Sequence, residues 1–466
     1  MAEFSSLNGY DVKDATARGK ITNDIEPILK NHTLTLSNLY LNNVSELKNI
    51  TTLIVGDVVK TLGYYEVCDG GSGLYVITDT CPDEEADGIE YIALQNNLFA
   101  RLMIEENTIK VKQMGVKENE SIKNAVDYCT AKGLNLYLNG SKFITEHFEV
   151  HYNLIGDNTE LEFTGTTGMS IFGSNLLIEG ITLNHNHFEG STLYISNSCK
   201  DVIVRRCTFI NAGLEAISTG YRMQENILIT ECVFKDYGRC GIAVIGVDGM
   251  NIINNTFYDG LETSNFAIDI EPFEDGMTAK NITIENNRII HHKTAIKLYG
   301  YPAKNYGTIN IGSNLIEAEN GVAYAGSFSS YDIMPVFNIY DNRFNCTAYA
   351  IMCSEYSTTQ NHDSSKLVKC VNNEITGGIK IQGREIIFNS NAVYWNTETV
   401  KFCIARGVIN GNYFYTSSYG LEIGGRNQNV QASISNNVCM GAPSPFVTTK
   451  DIYSGSNIVQ SGNNIS

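Results

Sequence analysis

The chain has 466 residues, with 33 Lys plus Arg against 51 Asp plus Glu and a formal net charge of −18. That acidic balance offers no positive footprint for nucleic acid, and 18% charged against 43% hydrophobic residues excludes a charge-rich disordered chain. With 41 Gly, 7 Pro, no apolar run of 18 and no basic-then-apolar leader, it reads as neither collagen, membrane-spanning nor secreted through a signal peptide.

Residues 1–50 are polar, with a helix expected around 10–20, and read as an N-terminal connector. Residues 51–108 alternate short β runs with turns such as Asp69-Gly70-Gly71-Ser72-Gly73 and Asp87-Gly88, as in a small β-rich module. From 109 onward a single long domain is expected. It opens with a strand at Ile109–Lys117 and a helix over about 120–132 that puts Ile122, Ala125, Val126 and Cys129 on one face. Gly133 ends that helix, and Leu134–Leu138 is a strand. The helix is suited to cover the open end of a stack of parallel strands.

The stack itself is predicted by a repeat. A polar residue, then Asn or Cys, then any residue, then an apolar one recurs: Arg206-Cys207-Thr208-Phe209, Glu231-Cys232-Val233-Phe234, Asn254-Asn255-Thr256-Phe257, Asn286-Asn287-Arg288-Ile289 and Ser313-Asn314-Leu315-Ile316. Further copies centre on Asn342, Asn373, Asn391, Asn412, Asn437 and Asn457. The copies lie 18 to 32 residues apart, so a short fixed core is joined by loops of varying length. A β run precedes each copy (Val202-Ile203-Val204, Ile227-Leu228-Ile229) and another follows it (Ala216-Ile217-Ser218, Ala267-Ile268-Asp269-Ile270). Strand, tight Asn turn, short strand, loop and strand make one coil of a right-handed parallel β-helix, an all-β solenoid running to the C-terminus. Asn suits the left-handed turn, and at about 4.8 Å per coil its side chain reaches the next one. Twelve cysteines without a CxxC pair read as reduced thiols, mostly buried.

These residues resemble phage tail proteins of the pectin-lyase-like superfamily. VGDVVKTLGYYEVCDGGSGLYVI, residues 55–77, resembles the neck module before the β-helix in tailspikes and appendage proteins. Ile109–Leu138 resembles the superfamily's opening strand–turn–helix–strand unit, although Lys117-Glu118-Asn119-Glu120-Ser121 stands where a Gly-Asp-Gly run and paired Asp are usual. LNGYDVKDATAR is similar to the connector of tail fibres from phages of Gram-positive hosts. The resemblance implies a virion tail protein, attached through its N-terminus to other tail or baseplate proteins, commonly trimeric, whose partner is a host surface polysaccharide or teichoic acid. It implies neither a cofactor nor a membrane partner.

Chemistry is expected at Phe266-Ala267-Ile268-Asp269-Ile270-Glu271-Pro272. Alternation sends Ile268 and Ile270 inward and Asp269 and Glu271 outward, two carboxylates roughly 6–7 Å apart at the backbone, a spacing suited to glycosidic hydrolysis. Aligning Ile217, Ile242, Ile268, Ile296 and Val322 as one inward column sets Ala243 and Ile245 on the preceding coil and Lys297 and Tyr299 on the following one. A cation on one side and desolvation would split the two pKa values, as an acid and a base or nucleophile require. Glu215, His292 and Tyr194 are further candidates for substrate binding, with Tyr299, Tyr301 and Tyr324 offering rings for sugar faces. His185 and His187 have metal-like spacing without a further ligand, and no metal is expected. Glu274 and Asp275 are the alternative acids for a divalent ion. Three readings stay open: a depolymerase hydrolysing host glycan with Asp269 and Glu271, a non-catalytic adhesin, and a teichoic-acid phosphodiesterase. A homotrimer is expected because outward Ile245, Tyr299 and Met352 are apolar or aromatic and the charged fraction is low.

Overall fold

The computed structural model describes residues 6–7, 10–11, 39–82, 86–258, 266–272, 277–300, 305–326, 334–353, 365–394, 399–415, 420–441 and 447–465. It divides into two compact units, residues 1–104 with 113–115, and residues 105–112 with 116–466.

The first unit is a five-stranded sheet in the order Leu39–Leu41, Val58–Thr61, Leu74–Thr78, Phe99–Leu102, Tyr91–Ala93. Its first pair is parallel, with Leu39 opposite Val59, and the others are antiparallel. The sheet thus takes in residues N-terminal to 51, together with a helix at Val44–Asn49 capped by Asn43, whose side chain accepts from the Glu46 N–H at 2.9 Å. The helix expected at 10–20 falls outside the described residues except at Tyr10–Asp11, which is a strand. Asp69 organises the glycine-rich turn: its carboxylate accepts from the N–H groups of Tyr64, Tyr65, Glu66 and Gly71. Burial raises its pKa, but those four bonds outweigh it and hold the group below the ordinary carboxylate range.

The second unit is an all-β, right-handed parallel solenoid of about 12 turns. A helix at Lys123–Lys132 lies at its start, shorter than expected by three residues, with Ile122, Ala125, Val126 and Cys129 buried and Gly133 in the left-handed conformation (φ 65°) as C-cap. Coils such as that of Lys200–Arg205, Thr208–Ala212 and Glu215–Thr219 contribute three strands in the predicted order, and in others the second and third run on as one strand, as in Arg288–Gly300, Leu315–Gly326 and Arg343–Cys353. One series runs through Val202–Val204, Ile227–Ile229, Met250–Ile252, Ile282–Ile284 and Ile309–Ile311 in parallel register.

Between the first and second strands of successive coils the asparagines stack. Asn255, Asn287, Asn314, Asn342, Asn373, Asn391, Asn412 and Asn437 each pass Nδ2–H to the next Oδ1 at 2.9–3.1 Å, the last of them to Asn463. Each Oδ1 also accepts a backbone N–H from the preceding coil, as Asn342 does from Asn314 at 3.0 Å. Cys207 and Cys232 extend the column, their thiols turned to backbone carbonyls of Arg205 and Thr230. No two of the twelve cysteines form a disulfide, and ten are buried. Two details differ from expectation. The ladder closes on Asn463, not Asn457, which instead begins the strand Asn457–Ser461. The left-handed residue is the one before each ladder position (Arg206, Glu231, Asn254, Asn286, Ser313, Asp341), because the ladder residue must aim its amide along the axis rather than carry the turn.

Phenylalanines follow the same logic one strand further on: Phe209, Phe234 and Phe257 stack at 5.1 and 4.6 Å between centroids. The core is therefore a set of columns running along the axis, and outward positions fall into equally regular columns. That regularity places the candidate site.

Candidate functional site

The site lies on the third strand series. Cys240–Val244, Phe266–Ile270 and the part of Arg288–Gly300 from Thr294 onward pair in parallel, with Ile242 opposite Ile268 opposite Ile296 and Ala243 opposite Asp269 opposite Lys297. The expected register is the observed one. The inward residues Ile268 and Ile270 are fully buried.

Asp269 is not the exposed acid that alternation alone suggested: it is 3% exposed, set beside Ala243, itself 2% exposed. Burial pushes its carboxyl up to about 7. Glu271, close enough to share a hydrogen bond with it, adds to the rise, and the charges of Arg239 and Lys297 oppose it. Burial and Glu271 win, so the Asp269 carboxyl keeps its proton to much higher pH than an ordinary aspartate does. Glu271 is half-buried, with its own N–H on the carbonyl of Val244 at 2.9 Å. Lys297 Nζ also lies 5.6 Å from the centre of the Tyr299 ring.

Arg239 was not singled out in the sequence. It precedes the strand Cys240–Val244 in the turn Gly238-Arg239 and donates its N–H to Leu214 O at 2.9 Å. Its guanidinium acts electrostatically on Glu215, Asp269 and Glu271 together. Arg239 Nε lies 2.7 Å from Glu215 Oε1, and Ser191 Oγ donates to Glu215 Oε2 at 2.6 Å. Glu215 is in register with Cys240 and, one coil on, Phe266, two coils before the strand of Asp269. It is 7% exposed and its carboxylate is already engaged on both oxygens.

The remaining candidates separate. Tyr194 belongs to the Asp269 column, through Ser218 and Ala243, three coils before it. His292 does not edge the site. A bulge at His291 (φ 60°) turns it inward, where it is 4% exposed, bonded to the Tyr237 hydroxyl and stacked on its ring at 5.6 Å. Tyr324 shares the parity of Val322, so it points inward as well: it is buried and its hydroxyl donates to Gln382 O at 2.8 Å. Tyr301, Glu274 and Asp275 lie outside the described residues. Among the described residues no group of three or more His, Cys, Asp or Glu is placed to hold a metal ion.

His185 and His187 diverge, because the strand Ser174–Asn184 ends before them and Asn186 and His187 are both left-handed. His185 is fully buried between Phe163 and Phe188, and neither ring nitrogen has a hydrogen-bond partner. Burial lowers its pKa. A depressed histidine supports the fold above its unfolded pKa of about 6.5, and that support is lost as pH falls through the folded value. His185→Leu is expected to stabilise the chain by about 1–3 kcal/mol, more at pH 5 than at pH 8, in denaturant titrations at the two pH values. No gain at either pH would contradict this account of the site.

A family profile described as right handed beta helix region matches residues 189–361. No curated protein sequence matches the chain. Among solved structures the chain is similar to a tailspike protein of Acinetobacter baumannii bacteriophage Fri1, a capsular polysaccharide depolymerase, at 12% identity and TM-score 0.48, covering 91% of this chain and 76% of that one. It is similar to the tailspike protein of E. coli bacteriophage HK620 in complex with pentasaccharide at 10% identity and TM-score 0.45, covering 83% of each chain. The catalytic unit of an alpha-1,3-glucanase from Streptomyces thermodiastaticus is likewise similar, at 9% identity and TM-score 0.45, covering 80% and 73%. Such distant likenesses assign no chemistry to this chain, which has to be argued from its own residues.

Proposed function

We propose that the chain binds a surface glycan on the face bearing Tyr194, Asp269, Lys297 and Tyr299 and hydrolyses a glycosidic bond with Asp269 and Glu271. One observation carries the reading: a buried carboxyl held near pKa 7 beside a second carboxyl, with cations on both neighbouring coils. Such a group keeps a proton to give toward neutral pH, beside a second carboxyl that can serve as base or nucleophile. Asp269 would protonate the leaving oxygen, and Glu271 would activate water or attack the sugar. Carboxyls that share a hydrogen bond are closer than the roughly 5–5.5 Å of retaining or 6.5–9.5 Å of inverting pairs. Substrate entry must therefore part them, and Glu271, the less buried of the two, is the one to swing.

A binding-only reading draws on a different fact. Glu215 is closed off by its hydrogen bond from Ser191 and its ion pair with Arg239, and Asp269 is bonded to Glu271, so both acids have partners without ligand. Product analysis on host wall and capsule fractions separates the readings. New reducing ends support hydrolysis, and retained binding without product supports the adhesin. Released phosphomonoester would support the diesterase, and an unsaturated ultraviolet-absorbing product a lyase.

The proposal extends to a phage tail fibre on a Gram-positive host, joined to the virion through residues 1–50, bearing on polysaccharide or teichoic acid and assembled as a homotrimer. Exposed Tyr394, Tyr413, Tyr415 and Met440 in neighbouring strands give the outer surface an apolar patch suited to a second copy. Light scattering at micromolar concentration is expected to give about three times the 51.5 kDa chain mass, and a stable monomer would contradict it.

A further inference from the structure

The acid pair is linked electrostatically through Arg239, whose side chain is partly exposed, to the buried Glu215, a group that the hydrolytic reading does not use. Glu215 is 7% exposed, yet it keeps one oxygen on Ser191 Oγ at 2.6 Å and the other on Arg239 Nε at 2.7 Å. A buried carboxylate so held is a fixed anchor rather than a group awaiting a sugar hydroxyl.

Arg239 is in turn fastened through its backbone on both sides. Its N–H donates to Leu214 O, next to Glu215, and its own carbonyl accepts at 3.3 Å from the N–H of Phe266, where the Asp269 strand begins. The preceding Gly238 lets the turn stack so closely: a Cβ there would stand 1.9 Å from Gly213 O. In that stack Arg239 replaces Leu214 of the coil before, so one coil presents a cation where its neighbour presents an apolar side chain.

We infer that Arg239 is a positioning residue for the Asp269–Glu271 pair, held at its post by Glu215 and Ser191. Its planar fork can face Glu215 with one edge while its remaining charge bears on the two acids. The groups around Asp269 are then Glu271 just past the end of its own strand, Arg239 and the Cys240 thiol from the coil before, and Lys297 from the coil after. With Asp269 protonated, Glu215 and Glu271 balance Arg239 and Lys297, and the cluster is neutral. With Asp269 ionised, it carries one net negative charge on a partly buried face. Arg239 favours the ionised state against burial and Glu271, and Glu215 sets how much of the Arg239 charge is left to act.

The inference rests on reading Asp269 and Glu271 as the reacting pair, but its test needs no glycan. The full chain, carbon-13 labelled at aspartate carboxyls, is titrated, with the Asp269 signal assigned by its loss in Asp269→Asn. Arg239→Ala is expected to move the Asp269 midpoint up by about one pH unit or more, and Glu215→Gln to move it down by about half a unit or more. Arg239→Gln, nearer in shape, replaces the alanine variant should that one not fold. In either variant, a midpoint within about 0.3 unit of the wild type, or shifted in the opposite sense, overturns the inference. A purely structural role would lower the melting temperature and leave both midpoints in place. Absence of glycan cleavage by the wild type would count against the hydrolytic reading alone.

Discussion

Asp269→Asn is expected to lower depolymerisation by roughly 10²–10⁴-fold, since the proton donor is lost while the shape is kept. The same change is expected to stabilise the chain above neutral pH. The folded pKa, about 7, stands above the unfolded value of about 3.9. The native state therefore binds more protons between those values, and the contribution of Asp269 to stability, complete below about pH 4, is lost as pH rises through 7. Asparagine does not titrate. Its advantage over aspartate is expected to grow from near zero at pH 4 to about 2–4 kcal/mol at pH 8, read as a pH-dependent difference in melting temperature. An exposed acid would show a pH-independent difference within roughly ±0.5 kcal/mol. Glu271→Gln should also remove activity, and it should lower the Asp269 midpoint, because Glu271 raises it both as a charge and as a hydrogen-bond partner.

Asn342→Ala carries the largest expected loss of stability. The Asn342 amide is 2% exposed and engaged on four sides: Nδ2 donates to Ile311 O at 2.8 Å and to Asn373 Oδ1 at 3.0 Å, while Oδ1 accepts from the N–H and the Nδ2 of Asn314. At about 1 kcal/mol per bond, with buried partners left unsatisfied, the loss is about 3–5 kcal/mol. Amide hydrogen exchange on the flanking coils should report it as lost protection at Asn314, and unchanged protection there would mean that the ladder contributes little.

The solenoid was legible in the sequence because its core repeats in columns: eleven copies of one pattern reveal what a single strand cannot. The register of Ala243, Asp269 and Lys297 followed from the same columns, since Ile242, Ile268 and Ile296 can only face inward together. Tyr324 was equally readable by its parity with Val322, and its placement on the outer face ignored that rule. The burial of Asp269 was not readable, because exposure on an outward face depends on neighbouring coils and not on the strand's own alternation. Arg239 escaped notice for a related reason. It sits in a turn, outside any periodic pattern, and its meaning comes from Glu215, 24 residues earlier in the chain. His292 was misplaced because a single left-handed residue, His291, shifts the register without a sequence signature stronger than the residue itself.

The asparagine column has a direction. From Asn255 to Asn437 each Nδ2 donates one hydrogen forward to the Oδ1 of the next coil's asparagine and the other back to a carbonyl of the coil before, so the side-chain bonds all run one way, head to tail, and end on Asn463. Each amide polarises its neighbours and strengthens the bonds on both sides. A gap in the middle divides the series into two shorter, weaker ones, whereas a gap at Asn463 merely trims it. The same asparagine-to-alanine change should therefore grow milder from Asn342 toward Asn463, even though each removes one identical side chain. Stability in this solenoid is a property of uninterrupted length.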